Sequence, residues 1–370
     1  MATSATGRLL ALVGLAVMLA AFAGCGGGEP DALEGASIST GRWGHTATLL
    51  EDGRVLVVGG QESPSGKLAT AEIYDPAADA WSSAGSMSVA RGVGHRATRL
   101  SDGRVLVTGD SDEAIAEIYD PSNGQWSQAG VMIEPRNAAT STLMADGRVM
   151  VTGGGDATKA GQDPLASTEI FDPATGEWTA AGDLLNENYA HGAVLLQDSR
   201  VLIAGADLSE IYDSETDTWA AAGEPLRERT GGYPVVLLSD GRVMVPGGEF
   251  KQRRRAGADP IRNVELYDPT TEAWTRVADM NDARTRHAAV LLNNGNVLLV
   301  ATRELQMYNP STDMWASAGK MSQERGTYYT ATVLQDGRVL LVGGQEEDDG
   351  GRLTGVSVVE IYDPANFQEG

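Results

Sequence analysis

The chain has 370 residues, a formal charge of −23, 46 glycines, four phenylalanines and one cysteine. Such acidity excludes a protein built to neutralise nucleic-acid phosphate, which needs Lys and Arg to dominate a face. A single cysteine excludes a disulfide within the chain and any metal site built from several thiolates.

At the N-terminus, Arg8 precedes an apolar run from Leu9 to Phe22, and no acidic residue appears before Glu29. The run is too short to span a bilayer but suits the core of a secretory signal. It ends in Phe22-Ala23-Gly24-Cys25, which resembles the lipobox of bacterial lipoproteins, small residues directly before a cysteine. The resemblance implies a signal peptide over residues 1–24, lipidation of Cys25, a tether over residues 25–30 and a domain over residues 31–370. A lipid-anchored protein of the bacterial envelope follows, facing the periplasm or the cell surface, since more than one acyl chain suffices for stable anchoring.

From residue 42 onward the chain repeats. Tyr74, Tyr119, Phe171, Tyr212, Tyr267 and Tyr308 each lie seven residues before Trp81, Trp126, Trp178, Trp219, Trp274 and Trp315. Units of this size cannot bury their own apolar faces and must stack on neighbours. Each unit parses into four strands. The first, such as residues 95–100, runs to Asp102-Gly103, a hairpin signal expected to place both turn residues at positive φ. Equivalent turns at Asp52, Asp146, Asp198, Asp240, Asn294 and Asp336 make seven units. The second strand is unbroken, as in Val55-Leu56-Val57-Val58 followed by Gly59-Gly60, so both its faces are covered. The third carries Glu72-Ile73-Tyr74 and stops at Asp75-Pro76, because Pro cannot donate to a ladder. The fourth begins near the tryptophan, whose area must pack on an adjacent unit.

Paired glycines, then tyrosine, then tryptophan, with Arg-x-x-His opening the next unit, resemble the kelch motif over residues 31–364. The resemblance implies an all-β, seven-bladed β-propeller of four-stranded antiparallel blades. The seventh unit ends at Asp363-Pro364 without a tryptophan, while Ile38 stands four residues before Arg42 as Met87 stands before Arg91. Residues 31–38 are therefore expected to supply the missing fourth strand and close blade seven. Blades one, three, five and seven carry long segments after the second strand, including basic Lys251-Gln252-Arg253-Arg254-Arg255 and acidic Glu346-Glu347-Asp348-Asp349.

Three columns carry chemistry. His45, His95, His191 and His287 share one repeat position, filled elsewhere by Ala139, Tyr233 and Tyr329. The motif itself calls for histidine there and the spacing spreads the four around a ring, so neither metal nor other cofactor is expected. Arg42, Arg91, Arg136, Arg229, Arg284 and Arg325, with Asn188 in blade four, lie where strand four passes to strand one, at a channel mouth. Arg54, Arg104, Arg148, Arg200, Arg242 and Arg338 follow the turns. Trp43, Tyr328 and Tyr329, with Tyr189 and Tyr233, gather near the same mouth. The candidate ligand site is Arg42, Trp43, His45, Arg91, His95, Arg325, Tyr328 and Tyr329, where forked arginines beside aromatic faces suit an anionic ligand or a sugar.

Neither a phosphate cradle nor a nucleophile elbow is present, and the spaced acids of the turns lack the pattern of a calcium loop. Galactose oxidase is similar in architecture but needs a tyrosine cross-linked to cysteine, and the sole cysteine sits at the anchor. Sialic acid mutarotases are also periplasmic kelch propellers. Their acid and base residues find no counterpart by motif. The expectation is a non-catalytic binding module for a protein or glycan, with a sugar-acting isomerase or a structural envelope protein as alternatives. Between Cys25 and the first strand the chain reaches at most about 17 Å. The Asp-Gly and Asp-Pro side is thus expected to face the membrane, with the long loops pointing away.

Overall fold

Short apolar runs punctuated by Asp-Gly and Asp-Pro turns fold into seven antiparallel sheets of four blade strands, each hydrogen-bonded to its neighbour in the blade. The computed structural model describes residues 32–159, 163–205, 207–251, 258–348 and 350–367. The segment expected to be a signal peptide, Cys25, the expected tether, Ala206, Arg253 to Arg255 and Asp349 lie outside the described residues. Blade two is representative, with strands Arg96–Arg99, Val105–Thr108, Ile115–Asp120 and Gln125–Val131. Its register sets Val105 opposite Tyr119 and Tyr119 opposite Trp126. The second strand is fully buried in every blade, from Val55–Val58 to Val339–Val342. Coverage on both faces explains why that strand tolerates no polar alternation.

The seven Asp-Gly-type turns differ from the sequence expectation. Only the residue in the glycine position takes positive φ, as at Gly53 (φ 87°), Gly103 and Gly147, with Ser199 (φ 71°) in blade four. Leu50 N–H donates to Arg54 O at 2.8 Å, and Gly53 N–H donates back to Leu50 O at 3.1 Å. Asp52 accepts from the Arg54 backbone N–H at 3.1 Å and from its Nε at 2.7 Å. This side-chain bridge holds Asp52 in ordinary backbone space and leaves the left-handed turn to glycine. It also accounts for the arginines after the turns. Arg104, Arg148, Arg200, Arg242 and Arg338 repeat it.

Neighbouring blades are joined through the tryptophans. Each Tyr/Phe–Trp pair stacks with ring centroids 5.0–5.2 Å apart. Trp126, Trp178, Trp219 and Trp315 then donate from Nε1 to a carbonyl on the outer strand side of the preceding blade. Trp81 does the same across the seam, to Ala36 O at 2.7 Å. That contact exists because Leu33–Gly35 pairs antiparallel with Val359–Tyr362. The first residues of the domain complete the last blade, so the ring is closed by strand pairing and has no open edge there.

The long segments form extra ribbons on one face. Gln61–Ser63 pairs with the start of Gly66–Asp75, Glu249–Lys251 with Ala258–Pro260, and Gln345–Glu347 with Leu353–Gly355. The Asp-Gly and Asp-Pro turns cluster on the opposite face. Among the described residues, no helix is long and apolar enough to cross a membrane.

Candidate functional site at the channel mouth

The arginine column proves to be architecture. Arg42, Arg91, Arg136, Arg229 and Arg325 are buried, at 0–2% exposure. Each meets a glutamate two residues before the motif tyrosine: Glu72, Glu117, Glu169, Glu265 and Glu360, at 2.6–3.1 Å. Each also donates to the carbonyl of the glycine ending strand two, at 2.5–3.0 Å. The glutamates in turn accept backbone N–H groups from the strand-four-to-one crossing, as Ser88 to Glu117 and Ile133 to Glu169. Burial lowers the guanidinium pKa of Arg42, Arg91, Arg229 and Arg325, and the paired glutamates oppose that shift. Arg42, Arg91 and Arg325 therefore present no electropositive mouth to a ligand, because their charges are spent inside the blades. The paired glycines follow from the same packing. Gly59 and Gly60 sit at φ 62° and 92°, and a Cβ on Gly60 would lie 2.7 Å from Trp43 O.

Two blades break the column. In blade four, Asn188 replaces the arginine, and Glu210 is completely buried; among the described residues its donors are the N–H groups of Leu185 and Asn186, at 2.6 and 3.2 Å. Burial raises the Glu210 pKa against those donors. In blade six, Gln306 replaces the glutamate, and Arg284 turns to Asp282 at 3.2 Å.

The histidine column stitches blades together. His45 Nε2 lies 2.8 Å from Thr330 Oγ1, His95 Nε2 3.1 Å from Val58 O, and His191 Nε2 3.3 Å from Thr140 Oγ1, each reaching the preceding blade. Tyr233 and Tyr329 make the same reach, donating to Ala204 O and Val300 O at 2.8 and 2.7 Å. Burial pushes His45 well below the usual imidazole range, His95 to about 4, and His191 and His287 to about 3. Trp43 and Tyr329 are buried as well, at 4% and 7% exposure. Of the eight residues expected at the site, only Tyr328 retains substantial exposed surface.

What lines the mouth is a ring one residue before the histidine column. Gly44, Gly94, Ala138, Ala190, Gly232, Arg286 and Tyr328 all take left-handed backbone, with φ of 51–110°. Glycine tolerates this region and alanine pays modestly, but a long or aromatic side chain there is strained. Arg286 and Tyr328, in adjacent blades, fill it nonetheless, and the Arg286 guanidinium stands 5.4 Å from the Tyr328 ring centroid. Tyr189, at 44% exposure, adds a second aromatic from blade four. Burial raises the Tyr189 pKa, with further influence from Tyr328, Arg96, Asp110 and Arg286. Arg286 and Tyr328 come from the adjacent blades six and seven, Tyr189 from blade four and Arg96 from blade two.

Arg96 begins the innermost strand of blade two. Its counterparts Thr46, Thr140 and Thr330 place their hydroxyls beside the histidine of the next blade. The next blade offers Arg96 only Ala139. Sequence reasoning passed over Arg96, Arg286 and the glutamate column. All three were visible as departures within, or recurrences of, a single repeat position.

The kelch motif matches residues 52–88, 137–185 and 233–281. No curated protein sequence matches the chain. Among solved structures, a fungal alcohol oxidase of the AA5 family in complex with copper superposes with a TM-score of 0.72 at 16% identity, over 91% of this chain and 77% of that one. The likeness is one of fold. Among the described residues, no group of three or more His, Cys, Asp or Glu is placed to hold a metal ion.

Proposed function

Because the chain is a kelch-repeat β-propeller, we propose that it is a non-catalytic binding module that captures a glycan at the channel mouth on its long-loop face. The observation that carries this reading is the strained ring, where Arg286 and Tyr328 occupy left-handed positions that Gly or Ala fills in the other five blades. Strain of this kind persists where the surroundings impose it and a ligand uses it. Two carboxylates on this face are already engaged: Asp110 by Lys67 at 2.9 Å, and Glu249 by Thr285 at 2.9 Å and Arg286 at 3.7 Å.

The proposal includes anchoring by lipidated Cys25 in a bacterial envelope, supported by the signal-like segment before it. The entry of Leu33–Gly35 from the Asp-Pro side favours an orientation with the mouth turned away from the bilayer. Screening residues 31–370, without lipid, on a glycan array tests the reading. Binding should be present in the wild type and lost in Tyr328→Gly with an unchanged Tm. Binding that survives Tyr328→Gly would place the ligand elsewhere.

A protein partner is the second reading, and a separate feature favours it. Ile133, Leu185 and Leu226, at 57%, 54% and 58% exposure, hold one repeat position in three consecutive crossings. The other four blades place Ser39, Ser88, Asn281 and Ser322 there. Replacing the three apolar residues by serine should abolish protein capture while leaving glycan binding intact.

A further inference from the structure

Arginines in this chain are almost all neutralised locally. Among the described residues, those with no acidic group within ion-pair distance are Arg96, Arg227, Arg303 and Arg352. Arg227, Arg303 and Arg352 stand on the open surface, where water solvates the charge, whereas Arg96 is half-buried. Among the described residues its one acceptor is its neighbour's carbonyl, His95 O, at 3.0 Å from Nη1. A guanidinium carries five N–H donors, so most of this fork has no protein acceptor among the described residues. In a chain of charge −23, a cation kept in a partly dry place without an acid costs free energy that nothing in the fold returns.

The surroundings indicate what would offset that cost. Arg96 opens the innermost strand of blade two, and its charge couples electrostatically to Tyr189 and His191 of blade four as well as to His95 beside it. Tyr189, at 44% exposure, and Tyr328, on the left-handed ring, bring aromatic side chains to the same crossings. Arg286 adds a second cation at the rim, held to the Tyr328 face. Planar forks recognise carboxylates in bidentate fashion, and aromatic rings pack on the apolar faces of sugars.

Resting on the binding reading above, we infer that the ligand is a carboxylate-bearing saccharide, its carboxylate gripped by Arg96 and its ring held between Tyr189 and the Tyr328–Arg286 stack. The charge pairing makes affinity depend on the acid group. Wild-type protein and Arg96→Gln are to be compared on one array holding hexuronate-containing oligosaccharides beside neutral ones of the same linkage, with D-glucuronate and D-glucose titrated in parallel by calorimetry. The expected result is binding confined to the acidic set, weakened roughly tenfold to a hundredfold in Arg96→Gln, as for loss of a charged hydrogen bond. Arg96→Lys should keep part of it, since charge remains but the fork does not. Should Arg96→Gln fail to fold, the acidic-to-neutral ratio of the wild type decides alone. Neutral glycans bound as well as acidic ones would overturn the inference while leaving the glycan-binding reading standing. No glycan bound at all would remove both.

Discussion

Five blades carry a buried arginine–glutamate pair at the strand-four-to-one crossing, and blades four and six do not. The comparison separates structure from recognition. Where the pair is intact, the crossing residues are locked: the arginine ties the preceding glycine carbonyl to the strand-three carboxylate, and the position at the rim is Gly or Ala, with Tyr328 as the exception. Where it is broken, the crossings supply side chains to the mouth, Tyr189 beside Asn188 in blade four and Arg286 beside Arg284 in blade six. A buried ion pair contributes little net stability over an apolar substitute, but it enforces one geometry, because either partner alone is a stranded charge. Relaxing it in two of seven blades gives those crossings freedom to serve something besides closure.

The largest expected effect tests this directly. Glu117→Gln in blade two strands Arg91 and should cost about 3–5 kcal/mol, read from the midpoint of urea unfolding. Glu210→Gln in blade four removes a carboxylate that has no cation and should change stability by about 1 kcal/mol or less. Equal losses in the two variants would dissolve the distinction between the two kinds of blade. By the same physics Arg42→Ala and Arg325→Ala should lower Tm substantially, the reverse of what a solvent-facing arginine at a ligand site would show.

The next effect is smaller for each residue. His45, His95, His191 and His287 are neutral in the fold because burial depresses their pKa. The unfolded chain titrates near 6.5 and binds more protons below that pH, so stability is complete above about pH 6.5 and is lost on acidification toward the folded values. Between pH 7 and 5.5 each histidine should remove about 1 kcal/mol. Glu210 has the opposite sign, since its raised pKa adds stability on acidification and loses it as pH rises. Glu210→Gln should therefore steepen the acid loss. A flat urea midpoint across this range would mean that the histidines remain titratable in the fold.

The smallest effect belongs to the rim. Tyr328→Gly relieves left-handed backbone but loses the stack on Arg286, and these roughly cancel, leaving stability within about 1 kcal/mol of the wild type. Thermal unfolding checks it. A loss of several kcal/mol would make Tyr328 part of the architecture and erase the contrast with the locked crossings.

Most of the fold was legible because its determinants are local or strictly periodic. Asp-Gly turns, the unbroken second strands and the Tyr–Trp spacing each declare a strand or a turn within a few residues, and seven copies remove the ambiguity of one. The closing strand was legible too, since Ile38 keeps its distance from Arg42. The turn type was misjudged because the Asp52 bridge to Arg54 holds the aspartate out of the left-handed region.

The site was read less well, for a physical reason. Whether an arginine faces a ligand or the interior depends on what lies opposite it, and Glu72 is thirty residues from Arg42 in sequence but 2.6 Å away in space. Sequence alone determined the repeat, the blade count, the order of strands and the seam, because backbone hydrogen bonding and apolar patterning are settled by neighbours. Only the tertiary structure decided which charges are consumed and which remain. It buried the conspicuous arginine and histidine columns between blades and left Arg96, Arg286, Tyr189 and Tyr328 around the channel, since burial and pairing are properties of the closed ring and of no single repeat.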